Sequence, residues 1–169
     1  MKKKLLFIGP VLTGSGYGVH ARQLLKGLVE VEQYDIFVES LRWGDTPFLQ
    51  DDDLGWIRFL ANRPRENERF DICVQVSIPN EFKRRAPLHI GVTAGIEVDR
   101  VTPDWIVKCN TEVDLVVVPS HHSLQAFGVS YQPQTGEPLK LQIPIVVVPE
   151  GVDTNVYRPT AVSSGLLDE

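Results

Sequence analysis

Leu5 to Leu28 reads LLFIGPVLTGSGYGVHARQLLKGL, and the fold turns on how this stretch divides. The apolar run Leu5–Ile8 stops at Gly9-Pro10, as a strand does when a turn ends it. From Ala21 the apolar residues Ala21, Leu24, Leu25 and Leu28 keep the i, i+3, i+4, i+7 spacing of one buried helical face. Between the two, Gly14, Gly16 and Gly18 stand at alternate positions, and the helix is expected to begin at Gly18 or Val19. Strand, glycine loop and helix form the opening unit of an alternating α/β chain.

The same alternation continues outward. Short runs rich in Val and Ile recur at Ile36–Val38, Ile72–Val76, His89–Val92, Leu115–Val118 and Ile145–Val148, and each predicts a strand. A helix is expected through Leu54, Ile57 and Ala61. Another opens at Thr102-Pro103-Asp104, with an N-cap, a proline at the first helical position and an acid in the first turn, and runs through Trp105, Ile106 and Cys109. Ser120 is expected to cap a further helix through Leu124 and Phe127. Strands that alternate with helices pair in parallel, because a parallel connection needs a crossover. The predicted fold is a Rossmann-like α/β sheet with helices on both faces, a three-layer sandwich. The unalternating runs DLVVVPS and PIVVVPEG predict central strands buried on both sides, and Tyr131 to Pro144 is turn-rich enough for an inserted loop or hairpin.

Composition sets the outer bounds. A chain of 169 residues with 43% hydrophobic and 23% charged residues is the size and balance of one globular domain. No apolar run approaches the roughly 18 residues that span a bilayer, and the start MKKKLLFIGPVL lacks a signal-peptide cleavage pattern. The net charge of −5, spread along the chain, argues against a surface that binds nucleic acid by neutralising phosphates. Lys2-Lys3-Lys4 and Lys83-Arg84-Arg85 read as solvated faces. Cys73 and Cys109 have no paired spacing, so two buried thiols in a reduced cytoplasmic chain are expected.

In such a sheet ligands sit beyond the carboxyl ends of the strands. Those ends are Gly9 to Gly18, Glu39 to Trp43, Ser77 to Glu81, Thr93 to Asp99, Pro119 to His122 and Pro149 to Asp153, and glycines, hydroxyls and carboxylates concentrate there. The glycine loop allows three readings. Gly16-x-Gly18-x-x-Ala21 matches a dinucleotide fingerprint, with Glu39 about 20 residues on as the ribose acid, but PVLTGS separates Gly16 from the end of the strand. Half a phosphate-binding P-loop is present in Gly9 to Gly14, with Ser15 where the required lysine would stand. The third reading is a longer lip whose backbone N–H groups, at a helix start, face a phosphate. Against all three stands a loop whose glycines only serve turn conformations and helix packing.

At this point four segments resemble a known family. GSGYGVHARQLLKGL resembles the first loop and helix of retaining glycosyltransferases of the family 4 type, which have the GT-B architecture. VDLVVVPSHHSLQAF resembles their strand ending in a Pro-Ser cap, and VVVPEGVDTNVYRP resembles their V-x-P-x-G-V-D-x-x-x-(Phe/Tyr)-x-P segment. TAGIEVDRVTPDWIVKCNTEVD is similar to a variant in which an acid follows the fourth strand. The resemblance covers most of residues 1–159 apart from 43–67 and 131–144. It implies a single GT-B N-terminal domain over 1–159, the acceptor side of a cleft, with 160–169 as the start of an interdomain linker or tail. The family's donor domain has no counterpart in the chain, and no two glutamates lie eight positions apart as that domain's pair does.

Carried over by position, the resemblance implies that Gly14, Ser15, Gly16, Tyr17 and Gly18 form a lip toward donor phosphate and acceptor. Glu97 and Asp99 would be catalytic carboxylates, able to orient an acceptor hydroxyl or take its proton. Thr93, Ser120, Glu150 and Gly151 would edge the cleft. The expected substrate of a complete enzyme is a UDP- or GDP-sugar, with no cofactor and no metal. The acceptor is a saccharide or a lipid-linked molecule. The partner is a donor domain in cis or trans, and self-association through the exposed half-cleft is a further expectation. Two other functions stay open: an NAD(P)-binding module, and a non-catalytic domain that binds a saccharide or a protein partner.

The remaining features read plainly. His121-His122 have no further ligand at metal-binding spacing and are expected to be exposed first-turn residues. Asp51-Asp52-Asp53 suit a helix start. Trp43, Trp56 and Trp105 can each stack on a sugar or serve as core or rim. No G-x-S-x-G string supports a nucleophile elbow.

Overall fold

The structure is a computed structural model that describes residues 2–128, 130–132, 134–152, 154 and 157–159. Six parallel strands form one sheet. They are β1 (Lys3–Gly9), β2 (Tyr34–Ser40), β3 (Ile72–Val76), β4 (Leu88–Val92), β5 (Leu115–Val118) and, late in the chain, β8 (Ile145–Val147). Their order across the sheet is β2-β1-β3-β4-β5-β8. Between β5 and β8 the predicted insert is a small antiparallel hairpin of β6 (Ser130–Tyr131) and β7 (Pro138–Leu139). Four helices connect the sheet: α1 (Gly16–Glu30), α2 (Gly55–Ala61), α3 (Pro103–Glu112) and α4 (His121–Ala126). The fold is α/β and Rossmann-like, with helices on both faces.

Alternate residues of the strands sort into two faces. Leu5 and Phe7 of β1, Ile36 and Val38 of β2, and Val74 and Val76 of β3 pack with Ala21 and Leu25 of α1 and Ile57 of α2. Their neighbours in sequence, Leu6, Ile8, Phe37 and Cys73, pack on the opposite face with Ala86, Phe70 and Leu41. Further along that opposite face, Val116 and Val118 of β5 meet Ile106 and Cys109 of α3 and Ala126 of α4, with Phe82 and Phe127. Gly91 of β4 lies under the Phe82 ring, and a Cβ there would come within 2.6 Å of the ring's Cζ. Glycine is what lets that ring close the core.

The register fixes which residues reach the functional edge. Phe7, Ile8 and Gly9 pair with Val38, Glu39 and Ser40, so β1 and β2 end level with one another. Gln75 and Val76 pair with Gly91 and Val92, and Val117 of β5 follows beside Val92. Every strand therefore delivers its carboxyl end to one rim.

The position of the VVV strands departs from the expectation. The middle of the sheet is β3 and β4, all residues of β3 being buried, whereas β5 lies next to one edge and β8 is that edge. Ile145 and Val147 of β8 pack under the α3–α4 cluster, but Val146 and Val148 on the other face are 39% and 52% exposed. An apolar run without alternation implies two-sided burial; in β8 one side is covered and the other is not. Pro144 and Pro149 bracket this three-residue strand, as suits an edge where a missing N–H costs nothing.

The basic clusters lie largely at the surface, as expected, and three of their residues are also paired. Lys4 pairs with Glu68, Arg84 reaches Asp114 through both terminal nitrogens at 2.9 and 3.0 Å, and Arg85 reaches Glu39 at 3.1 and 3.3 Å. The Arg84 hydrogen bond holds the Asp114 carboxyl below its ordinary value, ahead of the backbone N–H of His89. Both cysteines are free and buried, and burial pushes each thiol up to about 12. Among the described residues no helix is long and apolar enough to cross a membrane. Residues 160–169, expected as linker or tail, lie outside the described residues.

Candidate functional site at the carboxyl edge of the sheet

The glycine loop is a built structure. From the end of β1, Thr13 folds back so that its N–H and its Oγ1 both reach the Pro10 carbonyl at 3.0 Å. Arg22, one turn inside α1, donates to the Val11 and Thr13 carbonyls at 3.1 and 2.7 Å. Across the loop, Leu49 N–H donates to the Leu12 carbonyl at 2.7 Å, and Thr13 forms an antiparallel bridge with Phe48. The helix starts two residues earlier than expected, at Gly16, because Ser15 is extended and its Oγ accepts the Gly18 N–H at 3.0 Å as an N-cap.

The glycines therefore divide in role. Gly18 is buried, its amide is taken by Ser15, and a Cβ there would overlap the Thr13 carbonyl oxygen and lie 2.7 Å from Thr13 Oγ1. Within the lip, Gly18 is the packing contact between helix and loop. Gly14 and Gly16 are exposed, and nothing lies within 4 Å of a Cβ at Gly16. Neither has positive φ, so turn conformation does not account for them. Among the described residues, the amides of Gly14, Ser15, Gly16 and Tyr17 have no hydrogen-bond acceptor. Four donors at and just before a helix start are left without a partner among the described residues.

Tyr17 ties this lip to the fourth strand. Its hydroxyl shares a 3.0 Å hydrogen bond with Thr93 Oγ1 and accepts the Ala94 N–H at 3.1 Å. Its ring stacks on Trp43, beyond the end of β2, with centroids 4.3 Å apart. Burial raises the phenol above its ordinary value, opposed by the bonds to Thr93 and Ala94, and the charges of Glu81 and Glu150 add to the rise. Thr93 is itself fully buried, so it supports the rim through Tyr17 and does not line it.

The other expected residues are spread along the rim. Glu97 and Asp99 are exposed in the segment after β4, and among the described residues neither carboxylate has a hydrogen-bond or ion-pair partner. The nearby Arg100 lies 5.3 Å over the Tyr131 ring instead of pairing with Glu97. Ser120 is occupied as the N-cap of α4, accepting from Ser123 N–H at 3.1 Å and meeting Ser123 Oγ at 3.0 Å. Ser123 in turn fills the space above Gly95, whose φ of +88° turns the chain out of β4. His121 and His122 are exposed in the first turn of α4, and no group of three or more potential ligands gathers around a metal position among the described residues.

Glu150 has a partner that sequence spacing does not reveal. Its Oε1 lies 3.6 Å from His20 Nδ1, which joins α1 to the segment after β8. Burial lowers the His20 ring below its ordinary value, and Glu150 opposes that shift. Gly151 lines two grooves that run beside α1. One, of about 350 Å³, is apolar, with Leu24, Leu28, Val92, Val117 and Val148. The other, of about 540 Å³, lies toward α2 with Arg22, Lys26 and Trp56. Asp153, at the end of this stretch, lies outside the described residues.

Two further acids reach the rim, Glu81 and Glu39, and only the second has a role in the sequence reading. Glu81, after β3, has its carboxyl raised by burial, against an opposing contact from Ser77, and its charge reaches Tyr17. Glu39, the acid that a dinucleotide reading requires, is held by Arg85 and lies beside Ile8, on the sheet face opposite α1. The six residues between β1 and α1 also keep the helix start away from the strand end. Compared with known protein families, curated proteins and solved structures, the chain matches none.

Proposed function

We propose that this chain is the acceptor-side domain of an enzyme that moves a sugar from a nucleotide-sugar donor to a hydroxyl acceptor. The observation that carries this reading is the row of unclaimed amides from Gly14 to Tyr17, on a loop braced by Arg22 and Ser15. Amides fixed in place before a ligand arrives can hold a diphosphate without a lysine and without reorganising. The donor, a UDP- or GDP-sugar, is held mainly by a second domain supplied in cis or trans. The acceptor is a saccharide or a lipid-linked hydroxyl, the reaction uses no resident cofactor, and the protein works in the cytoplasm.

Glu97 is the proposed carboxylate for the acceptor hydroxyl, with Asp99 beside it. Both are exposed in the isolated domain, where a closing donor domain would reach them. A carboxylate there can orient the hydroxyl or take its proton. The test is turnover of the two-domain protein with Glu97→Gln. A fall of at least about a hundredfold at unchanged folding is expected for loss of a general base, and unchanged turnover removes Glu97 from the mechanism. Titration with UDP- and GDP-sugars against NADH separates this reading from a dinucleotide module, which requires Glu39 to be released from Arg85.

A further inference from the structure

The two edges of the sheet are closed in different ways. β8 spans three residues between Pro144 and Pro149, too short to offer much of a ladder. β2 spans seven, with the sequence YDIFVES, no proline and an apolar centre that favours extended chain. Leu41 N–H donates to the Gly9 carbonyl at 2.9 Å, and backbone groups alternate in direction along a strand, so those of Ile36 and Val38 face away from β1. Left bare, they would be a template for another strand. Arg63 and Arg65, on the segment that leaves α2, place a guanidinium nitrogen on each carbonyl in turn: Arg63 on Ile36 at 2.5 Å and Arg65 on Val38 at 2.6 Å. Arg63 also reaches Asp35 Oδ1 at 2.9 Å and lies 3.8 Å over the Phe37 ring. Phe37 belongs to the sheet face opposite α2, so this side chain wraps the edge. Arg65 is anchored in turn on the Ala61 carbonyl at 2.8 Å, the last residue of α2. Pro64, between the two arginines, has no N–H with which to extend the ladder.

We infer that residues 62–66 form an autoinhibitory strap, in which Arg63 and Arg65 occupy the outward carbonyls of β2 and keep a second copy of this chain from adding its own β2 there. The spacing carries the argument. Arginines at i and i+2 meet carbonyls at i and i+2, which recur about every 7 Å along a strand. A guanidinium brings several donors in a fixed fork, so one side chain can hold an edge carbonyl and an anchor at once. A second copy is the occupant held off because two β2 edges that meet on a twofold axis run antiparallel and offer each other the same outward groups. An arginine lodged in the edge blocks that ladder and sets a charge where the strands would have to close. The strap lies within residues 43–67, which the family resemblance does not cover, and it does not rest on the transferase reading.

The test compares the whole chain with Arg65→Met and with Arg63→Met and Arg65→Met together, changes that keep most of the stem and remove the fork. Sedimentation and backbone amide exchange are followed from micromolar to millimolar protein. In the natural chain the Ile36 and Val38 amides are expected to exchange at rates that do not depend on concentration. The double variant is expected to associate at least about tenfold more tightly. As it does so, Ile36 and Val38 gain protection while Ile145 and Val147, on the other edge, stay unchanged. Arg65→Met leaves no carboxylate without its partner, so it carries the test alone if the double variant does not fold, with protection expected at Val38. Arg65→Lys, which restores one donor and the charge, is expected to reverse most of that gain. Variants that associate no more tightly than the natural chain overturn the strap. So does association that protects Ile145 and Val147 in place of Ile36 and Val38, or a natural chain whose Ile36 and Val38 amides become protected as its concentration rises.

Discussion

Gly16 and Gly18 are two residues apart and have opposite reasons for being glycine. A methyl group at Gly18 would strike the Thr13 carbonyl, a backbone atom that cannot swing away, so Gly18→Ala is expected to destabilise the fold by about 2 kcal/mol or more, read from urea unfolding. Gly16→Ala meets open space on a helix and is expected to leave stability unchanged or raise it by up to about 1 kcal/mol. Sequence shows three alternating glycines but not which backbone passes behind each of them. That depends on Thr13 folding back onto Pro10, a contact set by the loop's own hydrogen bonds.

His89 carries a pH dependence of stability. It is fully buried, its Nδ1 accepts the Arg85 N–H at 3.3 Å, and its Nε2 has no partner among the described residues. Burial, with Arg84 adding to it, lowers the ring from 6.5 to about 4. Below pH 6.5 the unfolded chain takes up a proton that the folded chain refuses until about pH 4, so the folded state loses stability as the pH falls through that window. The loss approaches roughly 3 kcal/mol at the acid end. Urea midpoints measured from pH 7 to pH 4.5 are expected to fall more steeply for the natural chain than for His89→Gln. Parallel slopes would assign the acid sensitivity to other groups.

At the level of elements, most of the fold is legible in the sequence. Among the described residues, the six strands of the main sheet and the four helices fall where apolar runs, helical spacing and cap residues put them, because each must bury a face against the sheet and that need is written locally. Strand order is a different matter. DLVVVPS and PIVVVPEG are apolar on both sides, yet one runs next to the edge and the other is the edge, since what covers a face is decided by distant segments. Paired substitutions expose the difference. Val116→Thr in the covered face of β5 is expected to cost about 2 kcal/mol, because the hydroxyl is buried without a partner. Val146→Thr on the open face of β8 is expected to cost under about 0.5 kcal/mol. Equal costs in thermal unfolding would mean that the β8 face is covered in solution.

The candidate site was legible in outline and not in its joints. Lip, rim and carboxylates are segments at strand ends, which the alternating pattern locates. The joints are Tyr17 to Thr93, His20 to Glu150 and Arg85 to Glu39, pairs between 46 and 130 positions apart that no spacing rule connects. The glycine, serine and tyrosine of the lip read alike in a linear motif, whereas in three dimensions Gly18 packs, Ser15 caps and Tyr17 braces.

For the whole molecule, one rim gathers a braced loop with free amides, the Tyr17–Trp43 stack and exposed carboxylates, while the opposite edge is tied down by Arg84, Asp114 and His89. That asymmetry is what a domain needs in order to meet a ligand from one side only. It rests on the amides of Gly14, Ser15, Gly16 and Tyr17 being free to bind an anionic group. The most direct measurement is a titration of the ¹⁵N-labelled chain with UDP and with a UDP-sugar, following those four backbone N–H signals. They are expected to move together and saturably while the Gly18 signal, held by Ser15, moves little; four signals that stay still as UDP and UDP-sugar rise into the millimolar range would contradict the account.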